Sequence, residues 1–168
     1  MPDATEIAAL ADVKTYLAIT GSTKDAILTL IKSAVEDWVA TYCARTFIIG
    51  SDRTEYYDGD VGSSLRLRNR PIVSITSIHA DPARLFAGGS EIPSSDFILD
   101  EPNKANGIVE LYSYRFLEGR KGIKAIYKSG YSTMPSDLSH AVRLIVCQQF
   151  RMLCCLIKCA FQYVRRIK

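Results

Sequence analysis

"IKAIYKSGYSTMPSDLSHAV", residues 123–142, changes period in its middle, and that change decides the fold class. Up to Ser129, Ile123, Ala125 and Tyr127 alternate with Lys124, Ile126 and Lys128 in the two-residue period of a strand. Gly130 and Tyr131 break the alternation. Pro135, whose missing N–H has no partner in a first helical turn, then opens a segment free of Gly and Pro through residue 167. A helix of about 30 residues, some 45 Å at 1.5 Å per residue, is expected there. Asp137 adds a negative charge at its positive end.

Upstream, "STKDAILTLIKSAVEDWVATYCARTF" repeats at helical spacing, with Ile27, Ile31, Ala34, Trp38 and Tyr42 as the apolar stripe. Leu28, Val35 and Val39 lie beside it, and Lys24, Lys32, Glu36 and Asp37 fall between. Ser22 or Thr23 is expected to cap this helix, with Asp25 in its first turn. Ahead of it, Leu10, Val13 and Leu17 mark a short helix ending at Gly21, so the two form an antiparallel pair.

From about residue 53 to 127 the period is two. In "SLRLRNRPIVSITSI", Leu65 and Leu67 take one face and Arg66 and Arg68 the other. After Pro71, Ile72, Ser74 and Thr76 oppose Val73, Ile75 and Ser77. Further strands are expected at 96–100, 107–112 and 122–127, separated by turn-rich "AGGSEIPSS" and "DEPNKANG". The expectation is an α+β fold. An N-terminal antiparallel helix pair (1–47) and a long C-terminal helix (135–168) form a helical bundle, with a small, mainly antiparallel sheet (53–131) inserted between them in a single domain.

A chain of 168 residues, 48% hydrophobic and 23% charged, is long and apolar enough to fold around a core. Its net charge of +3 conceals an asymmetry. Residues 1–60 hold 5 Lys/Arg against 10 Asp/Glu, residues 61–137 hold 10 against 8, and residues 138–168 hold 6 against none. An acidic front and a basic tail fit either a polyanionic partner or head-to-tail contact between copies. Arg151 and Lys158 interrupt the C-terminal apolar run, so no membrane span is expected. Cys147, Cys154, Cys155 and Cys159 crowd one helix without the spread of a disulfide framework, and no secretory signal is read at the start; a reducing cytosol is the simplest compartment.

Catalysis finds little to build on. His79 and His140 are distant in sequence, and neither lies in a metal or nucleophile motif. A cysteine nucleophile would need a thiol of depressed pKa beside His or Lys. Cys155 and Cys159 are i, i+4 neighbours with Cys154 adjacent, but structural zinc usually draws ligands from two elements, so no metal and no cofactor is expected. Arg143, Arg151, Lys158, Arg165 and Lys168 fall within about 100° of arc on the last helix, a basic stripe on a helix whose apolar residues, Leu144, Ile145, Cys147, Leu156 and Phe161 among them, spread over a wider arc than one partner needs. Three readings stay open: a core helix with a solvated basic face, a helix packed on its own domain and on a neighbouring subunit with its cations toward a polyanion or an acidic partner, and a membrane-surface helix. Arg66, Arg68 and Arg70 form a second basic group, on a strand face where charge also discourages edge-to-edge pairing.

The order of segments carries more. "LADVKTYLAITGSTKDAILTLIKSAVEDWVATYCARTF", "LRLRNRPIVSITSI", "DFILD…NGIVEL" and "IKAIYKSGYSTMPSDLSHAV" together resemble the head-tail connector (adaptor, head completion) proteins of tailed bacteriophages, from about residue 10 to 146. Tyr42, Cys43, Arg45, Thr46 and Phe47 match one family segment; Gly130, Tyr131, Pro135, Asp137 and Leu138 match another. The resemblance implies a non-catalytic virion protein that assembles, commonly as twelve copies, into a ring below the portal. There it would extend the DNA channel and carry the tail or stopper protein. It also implies residence in the virion neck, with host cytoplasm as the place of assembly, and a C-terminal run from Cys147 that can dock on the portal. The basic stripe would then face portal or packaged double-stranded DNA through non-specific phosphate contact. The alternative is a nucleic-acid-binding module using the basic C-terminal helix. The Cys-rich tail after Val146 is more uniformly basic than the family pattern.

Overall fold

The computed structural model describes residues 6–112 and 115–166, with side chains to residue 156. The fold is α+β, as expected, and the chain divides into two compact units, one of residues 45–133 and one of residues 6–44 with the segment from Met134 onward.

The helical unit contains α1 (Leu10–Tyr16), α2 (Asp25–Tyr42) and α4 (Ser136–Arg166). Its core is built from Val13 of α1, Leu28, Val35 and Val39 of α2, and Val142, Val146, Cys147 and Phe150 of α4. Each fully buried aliphatic side chain contributes about 1.5–3 kcal/mol relative to exposure. The buried line of α2 is therefore the one expected to lie beside the stripe. Of the expected stripe itself, Ile31 is half-buried, whereas Ile27, Ala34, Trp38 and Tyr42 are exposed. Lys32, expected between faces, is buried. Its Nζ donates to Glu6 Oε2 at 2.6 Å and to Glu36 Oε1 at 3.4 Å, and Glu36 Oε1 also accepts the backbone N–H groups of Ile7 and Ala8 at 3.0 and 3.1 Å. A buried cation is tolerable only when paired in this way. The α2 cap is Lys24, without a side-chain bond, not Ser22 or Thr23, because the turn that precedes the helix closes from Asp25 N to Ser22 O at 3.0 Å. Helix α1 stops at Leu17, short of Gly21. Ala18 adopts φ 53°, and Ile19 N closes onto Lys14 O at 3.0 Å, the left-handed ending that usually falls to glycine.

The β-rich unit holds two three-stranded antiparallel sheets where one was expected. The first has the order β1 (Arg53–Gly59), β6 (Gly119–Ser129), β3 (Ile72–Ala80); the second has β2 (Ser64–Arg66), β5 (Ile108–Leu111), β4 (Phe97–Ile98). β6 is the central strand, and its Ile123, Ala125, Tyr127 and Ser129 are buried in the alternation read from the opening stretch. β3 departs from the expected alternation. It holds one extra residue relative to β6 between Ile72 and Ser74 and another between Ile75 and Ser77. Ile72, Ile75 and Ile78 consequently turn inward at a spacing of three, which two bulges permit and a regular strand does not. The strand expected at 96–100 shrinks to two residues, and "DEPNKANG", expected as a turn, contains α3 (Glu101–Asn106). Asp100 caps α3 by accepting from Asn103 N at 2.9 Å, and Gly107 ends it at φ 73°.

The Gly130–Tyr131 break seals this unit. Tyr131 N donates to Phe47 O at 2.8 Å and Gly130 N to Pro71 O at 3.0 Å, and Ile48 bridges Tyr131 in parallel. Gly130 sits at φ 131°, and a Cβ there would come within 2.7–2.9 Å of the Ile48 and Ile49 backbone. Only glycine fits. The two segments that carry the resemblance, around Phe47 and around Tyr131, are thus hydrogen-bonded to each other.

Candidate functional site

Two basic groups were expected. Arg66 and Arg68 do come together, and with partners that no spacing indicated. They line a cleft of about 310 Å³ in the β-rich unit with Tyr57, Asp58, Arg120 and Lys121. Arg120 and Lys121 arrive through a bulge: between the pairs Tyr57–Ile123 and Gly59–Gly119, β6 carries two residues more than β1. Lys121 takes φ 55°, and its N–H donates to Asp58 Oδ1 at 2.7 Å instead of joining the ladder. Bulges commonly re-aim side chains beside functional surfaces. The Arg68 guanidinium stacks over the Tyr57 ring at 4.9 Å. Asp60 Oδ1 accepts Gly62 N–H at 3.1 Å. Among the described residues no carboxylate lies within 4.0 Å of the Arg66, Arg120 or Lys121 cation. Asp58 and Asp60 also line the cleft, so its four cations, Arg66, Arg68, Arg120 and Lys121, outnumber its carboxylates by two. Arg70 is not one of its lining residues; β2 ends at Arg66, and Arg68 and Arg70 lie on the connection that passes through a cis Arg70–Pro71 bond into β3.

Two of the lining residues, Tyr57 and Arg68, belong to a polar network. Glu55 Oε2 accepts from the hydroxyls of Tyr57 and Tyr127, the latter at 2.8 Å, and Glu55 Oε1 accepts from Asn69 Nδ2 at 2.9 Å. Arg68 N donates to Tyr57 Oη at 2.9 Å and Asn69 N to Tyr127 Oη at 3.1 Å; Thr46 N donates to Asn69 Oδ1 at 3.0 Å. Burial first, and for Tyr57 the bond to Glu55 next, push the Tyr57 and Tyr127 hydroxyls above the ordinary tyrosine value. Both stay protonated donors at any working pH. A network with every member satisfied rigidifies its surroundings, and this one ties the Arg45–Phe47 segment to the loop that carries Arg68.

On α4 the expected stripe divides. Arg143 is partly covered: its guanidinium lies 3.9 Å from Asp12 Oδ2 and donates to His140 Nδ1 at 3.0 Å. Arg151 is exposed and, among the described residues, has no carboxylate within 4.0 Å. Lys158 and Arg165 fall on the part of α4 beyond the described side chains, and Lys168 lies outside the described residues. Of the apolar residues expected on this helix, Cys147 is buried, Ile145 half-buried, Leu144 and Leu156 exposed, and Phe161 lies beyond the described side chains. Burial pushes the Cys147 thiol up despite the lowering influence of Arg151 and Arg143, the wrong direction for a nucleophile. Cys154 is half-buried and Cys155 exposed, while Cys159 lies beyond the described side chains. Among the described residues no three His, Cys, Asp or Glu side chains gather as metal ligands, and no helix is long and apolar enough to cross a membrane.

No family model matches the sequence, and no curated protein does. Solved structures do. A chain from the neck of the native gene transfer agent particle, computed with C12 symmetry, superposes at TM-score 0.60 with 18% identity, covering 89% of this chain and 81% of its own. A chain from the virion of the native gene transfer agent particle gives TM-score 0.60 and 18% identity over 86% of this chain and 78% of its own. One from the neck of the empty particle, computed with C6 symmetry, gives 0.56 and 20% over 89% and 82%. What is shared at this identity is the fold, across both units: this chain is built like a component of the neck of a gene transfer agent particle.

Proposed function

We propose that this chain is a structural, non-catalytic virion protein of the neck, a head-tail connector that forms a ring below the portal, extends the DNA channel and presents a platform to a tail or stopper protein. The observation that carries the reading is the likeness of fold, over 86–89% of the chain, to chains from gene transfer agent necks and virions. The segment order from about residue 10 to 146, which resembles phage connectors, supports it independently. Particles computed with C6 and C12 symmetry are what a ring of copies yields, and twelve is the copy number proposed here. The portal is the proposed partner of the C-terminal end of α4. Packaged double-stranded DNA is the proposed partner of the basic groups, through phosphate contacts that need no base reading. Assembly takes place in the host cytoplasm. Electron microscopy of particles from the producing cell, with the chain labelled, tests the proposal. Density for a ring of copies at the neck is the expected result; a label found elsewhere, or a strict monomer that ignores the portal in native mass spectrometry, overturns it.

The cleft of Arg66, Arg120 and Lys121, whose cations have no carboxylate within 4.0 Å among the described residues, favours one second reading, a nucleic-acid-binding module that works as a monomer. On that reading monomer affinity for duplex DNA falls steeply with salt, about one counterion term per neutralised phosphate. Absent monomer binding removes it and leaves the ring reading intact.

A further inference from the structure

The helical unit leaves one broad side uncovered. On α2, Ile27, Ala34 and Trp38 share an exposed stripe with half-buried Ile31. Trp38 is 55% exposed, and its recorded aromatic contact is a stack on Tyr42 with centroids 5.4 Å apart. On α4, Ile145, Gln149, Met152 and Leu156 follow at spacings of four, three and four, with Met152 59% exposed and Leu156 66%. Between the two lines runs a groove of about 350 Å³ lined by Ala34, Val35, Trp38, Ile145 and Gln149. Neither line contains a charged residue. Contiguous exposed apolar surface of this kind marks a contact face.

Three occupants compete. A membrane surface is disfavoured, because helices that lie on anionic lipid carry several Lys and Arg along both polar borders, whereas the acid Asp37 borders the α2 line and the single cation Arg151 borders the α4 line. The chain's own C-terminal segment is disfavoured because α4 continues as helix through Arg166, which carries residues after Leu156 along the helix axis and not back across the groove. A second copy fits by charge. The complement of an apolar groove with one acid at its rim is a partly apolar ridge with one cation, and α4 carries such a ridge. Leu144, Gln148, Arg151 and Cys155 each precede a member of the groove line by one residue, so they lie about 100° round the helix from it, and all four are exposed. Asp37 and Arg151 each lack an ion-pair partner within 4.0 Å among the described residues. Groove and ridge lie on different sides of one subunit, the condition for a head-to-tail contact that closes into a ring.

We infer that the apolar α2–α4 groove receives the outer side of α4, around Arg151, from a second copy of this chain. The inference rests on the ring reading and names its subunit contact. Trp38 is the one tryptophan of the chain, so tryptophan emission, excited at a wavelength tyrosine does not absorb, reports on this groove. The full-length chain is followed over a dilution series by native mass spectrometry and tryptophan emission in the same samples. Association is expected to shift the emission to shorter wavelength. Ala34→Glu, at an exposed position whose melting temperature serves as the folding control, weakens association roughly tenfold or more, as a charge buried in an apolar contact must. Asp37→Arg weakens it as well, and adding Arg151→Asp restores it. Association with unshifted emission and a silent Ala34→Glu overturns the inference while the ring stands. No association at any concentration also overturns it, and particle imaging judges the ring separately.

Discussion

The β-rich unit and the helical unit finish their cores differently. In the first, Tyr57, Ile78, Phe116, Ile123 and Tyr127 close around one another, and the polar atoms driven inside with them are consumed by the Glu55 network. In the second, Val13, Leu28, Val142 and Val146 close an equally dry core, yet α2 and α4 hold a second apolar line in reserve beside Trp38. On the inference above, assembly falls to the helical unit's spare face.

The contrast breaks first if the two apolar lines of α2 are energetically alike. Leu28→Ala empties a fully buried site and is expected to cost about 2–5 kcal/mol, measured by urea unfolding. A cost below 1 kcal/mol would mean that the inner line is not the core. The β-rich counterpart is Gly130→Ala, which places a Cβ 2.7 Å from Ile49 N at φ 131°. Backbone strain of this kind costs about 1–3 kcal/mol, with the overlap added, and a neutral result would show that the clasp between Gly130–Tyr131 and Phe47–Ile49 is not sealed.

The sequence shows why these two sites differ in legibility. β6 could be read because a central strand buries one face in strict alternation, and Ile123, Ala125 and Tyr127 obey it. α2 shows apolar residues over so wide an arc that periodicity proves a helix without saying which of its two apolar lines is covered. The burial of Lys32 is not legible locally, because its partners, Glu6 and Glu36, become visible only once the residues before α1 are laid on α2. The bulges that turn Ile75 inward and bring Arg120 and Lys121 to Arg66 are register events between strands distant in sequence. No local pattern encodes them. α3 was readable from Asp100, Pro102 and Gly107, which form a cap, an early-turn proline and a left-handed stop, but the same residues also spell a turn.

A smaller effect sharpens the picture of the β-rich unit at low pH. Asp81 collects the backbone N–H groups of Phe86, Ala83 and Leu85 at 2.8–2.9 Å, and these bonds, that of Phe86 foremost, hold its carboxyl below the ordinary aspartate value of 3.8. A depressed folded-state pKa contributes stability that is present above the unfolded value and lost as pH falls through the folded one. Order in the 81–86 loop should therefore be constant from neutral pH to about 4 and decline below it. Asp81→Asn is expected to flatten that decline in amide hydrogen exchange of Leu85 and Phe86. An unchanged acid profile would detach Asp81 from the loop.

The smallest expected effect is the most informative. Trp38→Gln removes the largest side chain of the helical unit, yet the monomer should lose no more than about 0.5 kcal/mol, because Trp38 is mostly outside the core and substitutions on such surfaces usually stay within that range. A monomer destabilised by several kcal/mol would place Trp38 inside the subunit's own core and abolish the difference between the units. A monomer indifferent to the change, in a chain whose self-association depends on it, separates folding from assembly at a single residue.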